Sequence, residues 1–203
     1  MKTHHIKKIV SGFLPITLIA SLVLLGGCAA EDQYNSKYAC SFTFYTTHHP
    51  TSSLSAINTT NPGFFVWVEV KRGTGGVNTV YVYQNNGTAD DPISLTTEIE
   101  NNRISYDNMG ANGQLILGCT TLNGLRAYDR QCPYCLDTYS GYSYPLTWTD
   151  DGASVECSKC GRVYSLNSEG LCTSGHEGSY RLLQYRFYFG TGYDGTTILR
   201  VTN

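Results

Sequence analysis

An all-β fold of antiparallel sheets is predicted by three features of this 203-residue sequence. Charged residues are sparse, with 14 Lys+Arg against 16 Asp+Glu, while 21 Gly and 16 Tyr stand beside many Thr and Asn. That mixture suits strands joined by tight turns. Apolar and polar residues alternate with period two in several short runs, and Gly, Asn and Asp clusters separate those runs. No helix of ordinary length, internal repeat or low-complexity tract is legible.

The elements follow in order. Residues 38–45 predict a short strand that ends at His48-His49-Pro50. Ser52 and Ser53 are placed to cap a brief helix through Ile57. After the Asn61-Pro62-Gly63 turn, residues 64–71 alternate, with Phe65, Trp67 and Glu69 on one face and Phe64, Val66, Val68 and Val70 on the other. Residues 73–76 turn the chain and 77–83 return as its hairpin partner, closed by Asn85-Asn86-Gly87. Weaker strands are expected at 93–95 and 103–106. Residues 114–118 and 125–129 form a second hairpin about Leu122-Asn123-Gly124. Residues 138–143 read as a loop. Thr147, Trp148 and Val155 sit in short strands around Asp150-Asp151-Gly152, and 162–166 form another. Residues 180–189 predict a long strand with Leu183, Tyr185, Phe187 and Phe189 on one face, returned by 196–201 after a turn at 190–195.

The N-terminus predicts the compartment. Lys2, Lys7 and Lys8 precede an apolar run at 9–25, broken by Gly12 and Pro15 and ending in Leu25-Gly26-Gly27-Cys28. A spanning helix needs about 20 apolar residues without such breaks, so residues 1–27 read as a signal peptide. Leu-x-Gly-Cys resembles a bacterial lipobox. By that resemblance Cys28 is acylated, becomes the mature N-terminus and, with 28–37 as linker, tethers the protein to a membrane. An ordinary signal peptide with a chance cysteine is the alternative. Ala29 rather than Asp follows Cys28, so the usual inner-membrane retention signal is missing. The expectation is an exported cell-envelope lipoprotein of the outer membrane, facing either the periplasm or the surface. The formal net charge of −2 offers no basic face for nucleic acid.

Eight cysteines include two pairs, Cys132-Pro-Tyr-Cys135 and Cys157-Ser-Lys-Cys160-Gly161, separated by the 21 residues 136–156. A Cys-x-x-Cys turn presents two sulfurs to one ion, and two such knuckles close a tetrahedron. Gly161 supplies the positive φ that completes the second turn. The spacing slightly exceeds the usual zinc-ribbon gap of about 15–20 residues, and the Asp150-Asp151-Gly152 hairpin accounts for the excess. Two other readings stay open. Cys132-Pro-Tyr-Cys135 resembles a glutaredoxin redox centre, but that needs a helix behind its first cysteine, and Leu-Asp-Thr-Tyr-Ser-Gly is a poor helix. The four thiols also allow two disulfides. Of the rest, Cys119 and Cys172 flank the metal region and form the candidate disulfide, with Cys40 left over; separate buried thiols are the equal alternative.

The framing of the knuckles carries a family resemblance. Leu115-Ile-Leu-Gly, Leu125-Arg-Ala-Tyr-Asp-Arg-Gln-Cys132-Pro, and Val155-Glu-Cys157-Ser-Lys-Cys160-Gly161-Arg-Val-Tyr164-Ser-Leu166, with Gly170 after it, resemble a Rieske domain over residues 114–203. Such domains hold a [2Fe–2S] cluster through Cys-x-His and Cys-x-x-His-Gly loops. Cys132 and Cys157 match the two cysteines, and Gly161 is kept. Tyr134 stands where the first histidine belongs, and Cys160 replaces the second. The resemblance therefore implies the fold and not the standard cluster. It extends to Rieske-like lipoproteins of Bacteroides-type bacteria. The domain spans 38–203, with N-terminal strands at 38–110, the Rieske-like part at 114–203 and a rubredoxin- or zinc-ribbon-like metal subdomain near 130–175. Zinc is the first choice of ion, since a closed Cys₄ tetrahedron suits it. Rubredoxin-type iron and a four-Cys [2Fe–2S] cluster are the alternatives.

Other chemistry-bearing residues are fewer. His48 and His49 form a pair that reads as a strand-end feature ahead of a metal site. His176 falls in a Gly-rich loop that in the resemblance covers the cluster. Asp129 and Arg130 read as an ion pair or a hairpin cap, and Asp150 and Asp151 as turn residues. No Gly-x-Ser-x-Gly, phosphate loop or HExxH helix is present. A structural or binding role is expected ahead of electron transfer, and both ahead of thiol oxidoreductase activity; nothing assigns an enzyme.

Overall fold

Strict alternation in the central strands gives each of them two apolar faces, and both are used. A computed structural model describes residues 33–103, 108–140, 142–175 and 180–203. The expected signal peptide and Cys28 lie outside these residues, as do His176 and the segment 104–107. The antiparallel all-β prediction holds: one eight-stranded sheet and one four-stranded sheet make up residues 34–203. Among the described residues no helix is long and apolar enough to cross a membrane.

The larger sheet contains β1 (Ser41–Tyr45), β2 (Phe65–Arg72), β3 (Asn78–Gln84), β4 (Ile93–Ser94), β5 (Gln114–Thr120), β6 (Gly124–Asp129), β11 (Gln184–Thr191) and β12 (Thr197–Thr202). Its spatial order is β1-β12-β11-β6-β5-β2-β3-β4. The smaller sheet runs β10 (Leu171–Ser174), β9 (Val163–Ser165), β8 (Ser154–Glu156), β7 (Thr147–Trp148). All four predicted hairpins form: β2 pairs β3, β5 pairs β6, β7 pairs β8 and β11 pairs β12. The last long strand begins at Gln184 rather than 180, because Arg181 makes only an isolated bridge to Leu171.

On one face of the large sheet, Val66, Val68 and Val70 join Val80, Val82, Leu115, Leu117 and Ala127. The sheet curls, so Phe42, Phe44, Leu199 and Val201 from its other end close over the same core. On the opposite face Phe65, Ile116 and Tyr128 pack with Leu146, Val155, Tyr164, Leu166 and Leu182 of the small-sheet region. Phe65 is paired with Gly118 across the β2–β5 ladder, and the Phe65 ring lies where a Gly118 side chain would project.

Ser52 caps a 3₁₀ turn at Ser53–Ala56 as expected, its hydroxyl accepting from the Leu54 N–H at 3.2 Å. Two short helices differ from expectation. Residues 98–103 are helical (α1, Glu98–Arg103), where a strand was expected to begin at 103. Thr97 and Glu100 form the reason: the Glu100 N–H bonds the Thr97 hydroxyl, which donates to the Glu100 carboxylate at 2.6 Å. This Thr-x-x-Glu pattern resembles a capping box. The second helix, α2 (Pro133–Thr138), occupies the stretch read as a poor helix. Pro133 at its first turn is pre-set for helical φ.

The Phe65–Gly118 contact generates one expectation. Gly118→Ala places a Cβ 2.5 Å from the Phe64 carbonyl oxygen and against the Phe65 ring. Overpacking of this kind costs about 1–3 kcal/mol. Denaturant titration should show a lower midpoint with an unchanged slope.

Candidate metal centre

Each knuckle is built by local hydrogen bonds that aim sulfurs and backbone donors inward. Strand β6 ends at Asp129 and delivers Cys132 as the N-cap of α2, which carries Cys135 one turn on. The Leu136 N–H bonds the Cys132 carbonyl at 3.0 Å, and the Cys135 N–H points at the Cys132 sulfur. The second knuckle joins β8 to β9. There the Gly161 N–H bonds the Cys157 carbonyl at 2.8 Å, and the Cys157 N–H bonds the Arg162 carbonyl at 3.0 Å. Gly161 takes φ +67°, as its position required. The backbone N–H groups of Lys159 and Cys160 help to lower the Cys157 thiol.

The knuckles face one another. Cys132 Sγ lies 3.7 Å from Cys160 Sγ, and Cys135 Sγ lies 3.7 Å from Cys157 Sγ. All four sulfurs fall within 4.8 Å of one another. Cys132, Cys135 and Cys157 are buried, and Cys160 is half-buried at the edge. This group is able to hold a metal ion.

Burial and mutual hydrogen bonds push these thiols in different directions. The Cys157 thiol is held well below its usual range, first by the hydrogen bond from Cys132 and then by its backbone donors, which together outweigh burial. Cys132 is pushed far up by that same bond and by burial. Burial comes first for Cys135, which rises to about 12. A second anion beside the first is repelled in a buried setting, so four thiolates need a cation among them.

Two residues around the sulfurs were not singled out from sequence. The Tyr164 hydroxyl lies 3.5 Å from Cys132 Sγ, with its ring fully buried. Arg162 is also buried, and its guanidinium sits 3.3 Å over the ring of Tyr134, inside the opposite knuckle. Both follow Gly161 closely in the chain, but spacing alone does not separate them from ordinary strand residues.

Helix α2 supplies a helix behind Cys132, which the redox-dithiol reading needs and the sequence did not suggest. It runs only six residues.

The remaining flagged residues sit elsewhere. No disulfide joins any described cysteines. The suggested Cys119–Cys172 bond is not among the described contacts, where Cys119 lies on β5 of the large sheet and Cys172 on β10 of the small one. Their sulfurs donate to local carbonyls instead, Cys119 to Thr120 at 3.5 Å and Cys172 to Ser174 at 3.3 Å. Cys40 is buried and its thiol is pushed up to about 12, first by burial and then by Asp129.

His48 Nδ1 and His49 Nε2 converge on Oε1 of buried Glu100, at 3.1 and 2.8 Å. Burial pushes the Glu100 carboxyl up, but the bonds from Thr97, His49 and His48 outweigh it and leave the group low. The pair thus ties the end of β1 to α1. Asp151 accepts from the Thr149 hydroxyl at 2.5 Å and the Ala153 N–H at 3.0 Å, as a turn residue does.

Asp129 and Arg130 are both buried but do not pair with each other among the described ion pairs. Asp129 accepts from the Ala111 and Gln131 N–H groups at 2.6 and 2.8 Å and from the Tyr185 hydroxyl at 2.9 Å. Arg130 Nε donates to the Leu146 carbonyl at 2.8 Å, Nη1 donates to Gln114 Oε1 at 2.9 Å, and the guanidinium stacks 3.7 Å over Trp67. Together they fix the chain just before the first knuckle.

No family model, curated protein or solved structure matches this chain.

Asp129 generates a pH dependence. Burial raises its carboxyl from 3.8 to about 6 against three hydrogen bonds. The folded state therefore holds this proton more tightly than the unfolded chain. Stability falls as pH rises from about 4 to about 6, by on the order of 2–3 kcal/mol, and levels off above. Unfolding midpoints across this window check it, and Asp129→Asn should flatten that part of the profile.

Proposed function

We propose that this protein is an exported, lipid-anchored β-domain in which Cys132, Cys135, Cys157 and Cys160 hold a single metal ion, zinc first, as a structural clamp. The observation that carries the reading is the pair of 3.7 Å sulfur–sulfur distances across the knuckles. Four sulfurs at about 2.3 Å from a tetrahedral ion stand about 3.75 Å apart. A two-iron cluster divides its cysteines between separate irons and demands wider spacing between the pairs than the 4.8 Å that bounds all four sulfurs, so the geometry favours one ion. Four protein ligands fill the tetrahedron and leave no position for substrate.

Residues 25–28 support the lipid anchor and the envelope location. The Rieske-like framework belongs to the same reading. Its support is the sequence that frames the two cysteine loops, at 125–133 and 155–166. Rubredoxin-type iron with an electron-transfer role is the second reading. It is favoured by half-buried Cys160, which brings one ligand to the edge of the site.

Elemental analysis of the purified chain is expected to give one zinc per molecule and no visible absorption. Cys135→Ser should abolish binding, and a strong chelator should unfold residues near 130–175, read by hydrogen exchange, because metal binding here is folding free energy. A coloured protein with one iron moves the conclusion to electron transfer. A chain without metal overturns both readings.

A further inference from the structure

Arg162 is a buried cation with no described carboxylate against it. The residue is 6% exposed, and its Nε lacks a hydrogen-bond partner. None of the described ion pairs includes it. A cation with little exposure is stabilised by negative charge close to it, and its described surroundings supply some. They do so in two forms. Cys160, two residues before it, favours the charged guanidinium against the effect of burial. The guanidinium also lies 3.3 Å over the Tyr134 ring and 5.8 Å from the Tyr180 ring, and those two rings meet edge to face at 5.5 Å. The electron-rich ring faces attract a cation.

Position makes this more than packing. Arg162 belongs to the second knuckle, and Tyr134 stands between the two cysteines of the first. The stacked pair therefore spans the site beside the sulfurs. Gly175, at φ +75°, closes over the arginine stem, and a Cβ there would stand 3.3 Å from Arg162 Cγ. A divalent ion with four thiolates carries a net charge of −2, and one guanidinium halves it.

We propose that Arg162 is a positioning residue of the metal centre, which straps the second knuckle to the first through Tyr134 and offsets the charge of the tetrathiolate. The proposal rests on the reading that the four cysteines hold one ion. Two consequences follow. Zinc is held more tightly with Arg162 than without it. With iron as a probe, the fixed positive charge favours the ferrous over the ferric state, since the ferrous site is the more negative.

The test uses the intact chain as wild type, Arg162→Gln and Arg162→Lys. Competition with a chromophoric chelator measures zinc affinity, and voltammetry of the iron-loaded proteins measures the potential. Arg162→Gln is expected to weaken zinc about 10- to 100-fold, the usual size of an outer-shell loss. It should also lower the iron potential, by about 59 mV for each tenfold change in the ferric-to-ferrous preference. Arg162→Lys keeps the charge and loses the planar stack, so it should restore the potential while leaving zinc affinity reduced. A purely structural role would move stability and not the potential. An unchanged potential in Arg162→Gln overturns the proposal. Should that variant fail to fold, Arg162→Lys decides: wild-type zinc affinity or a shifted potential overturns it. Failure of the wild type to bind any metal overturns the underlying reading instead.

Discussion

Strands β2, β5 and β6 are apolar on both faces, and this doubles the demand for cover. Val66, Val68, Leu115, Leu117 and Ala127 point into one core, while Phe65, Ile116 and Tyr128 point the other way. Curling of the eight-stranded sheet closes the first core. The second needs a separate lid, and the four-stranded sheet supplies it. That lid is poor by ordinary standards, since its strands run from two to four residues. So little sheet does not pack stably alone. Two cysteine knuckles at its margin bring Leu146, Val155, Tyr164 and Leu166 over the exposed face. The cysteine knuckles and the second core therefore pack as one cluster.

The link between the sheets passes through buried polar groups. Asp129 ties the end of β6 to Ala111, Gln131 and Tyr185, and Arg130 reaches forward to the Leu146 carbonyl while stacking on Trp67. Gln131 continues the pattern, accepting from the Tyr144 N–H at 2.8 Å. Three consecutive side chains thus set the angle at which Cys132 leaves the large sheet. Burying an ionisable carboxyl with only neutral donors is unfavourable, which is why Asp129 holds its proton to about pH 6. The structure accepts that cost at the point where the knuckle is aimed.

Much of this was legible in the chain. Period-two alternation in residues 64–71 assigned the two faces of β2 correctly, because a strand's side-chain direction depends only on parity. The cysteine spacing located the site, because a Cys-x-x-Cys turn constrains its own geometry. Other features were not legible for physical reasons. Helix α2 is short and begins at a proline, and its residues have weak helix propensity; tertiary contacts hold it. Helix α1 did carry a signal, Thr97-x-x-Glu100, hidden among Thr and Glu that also suit loops. Cys119 and Cys172 looked like partners because proximity along the chain to the metal region says nothing about which sheet each joins. Arg162 and Tyr164 gain their roles only when the opposite knuckle folds against them.

Charge joins these observations into one argument about what the site is for. A guanidinium of low exposure lies over the Tyr134 ring beside Cys160, with no described carboxylate in an ion pair with it. In the proposed centre, four thiolates around a dication leave a surplus negative charge that Arg162 partly offsets. The same offset would also ease reduction if iron occupied the site, so one side chain weighs on both readings. Its location between the knuckles explains why a lid of such short strands needs no larger core of its own.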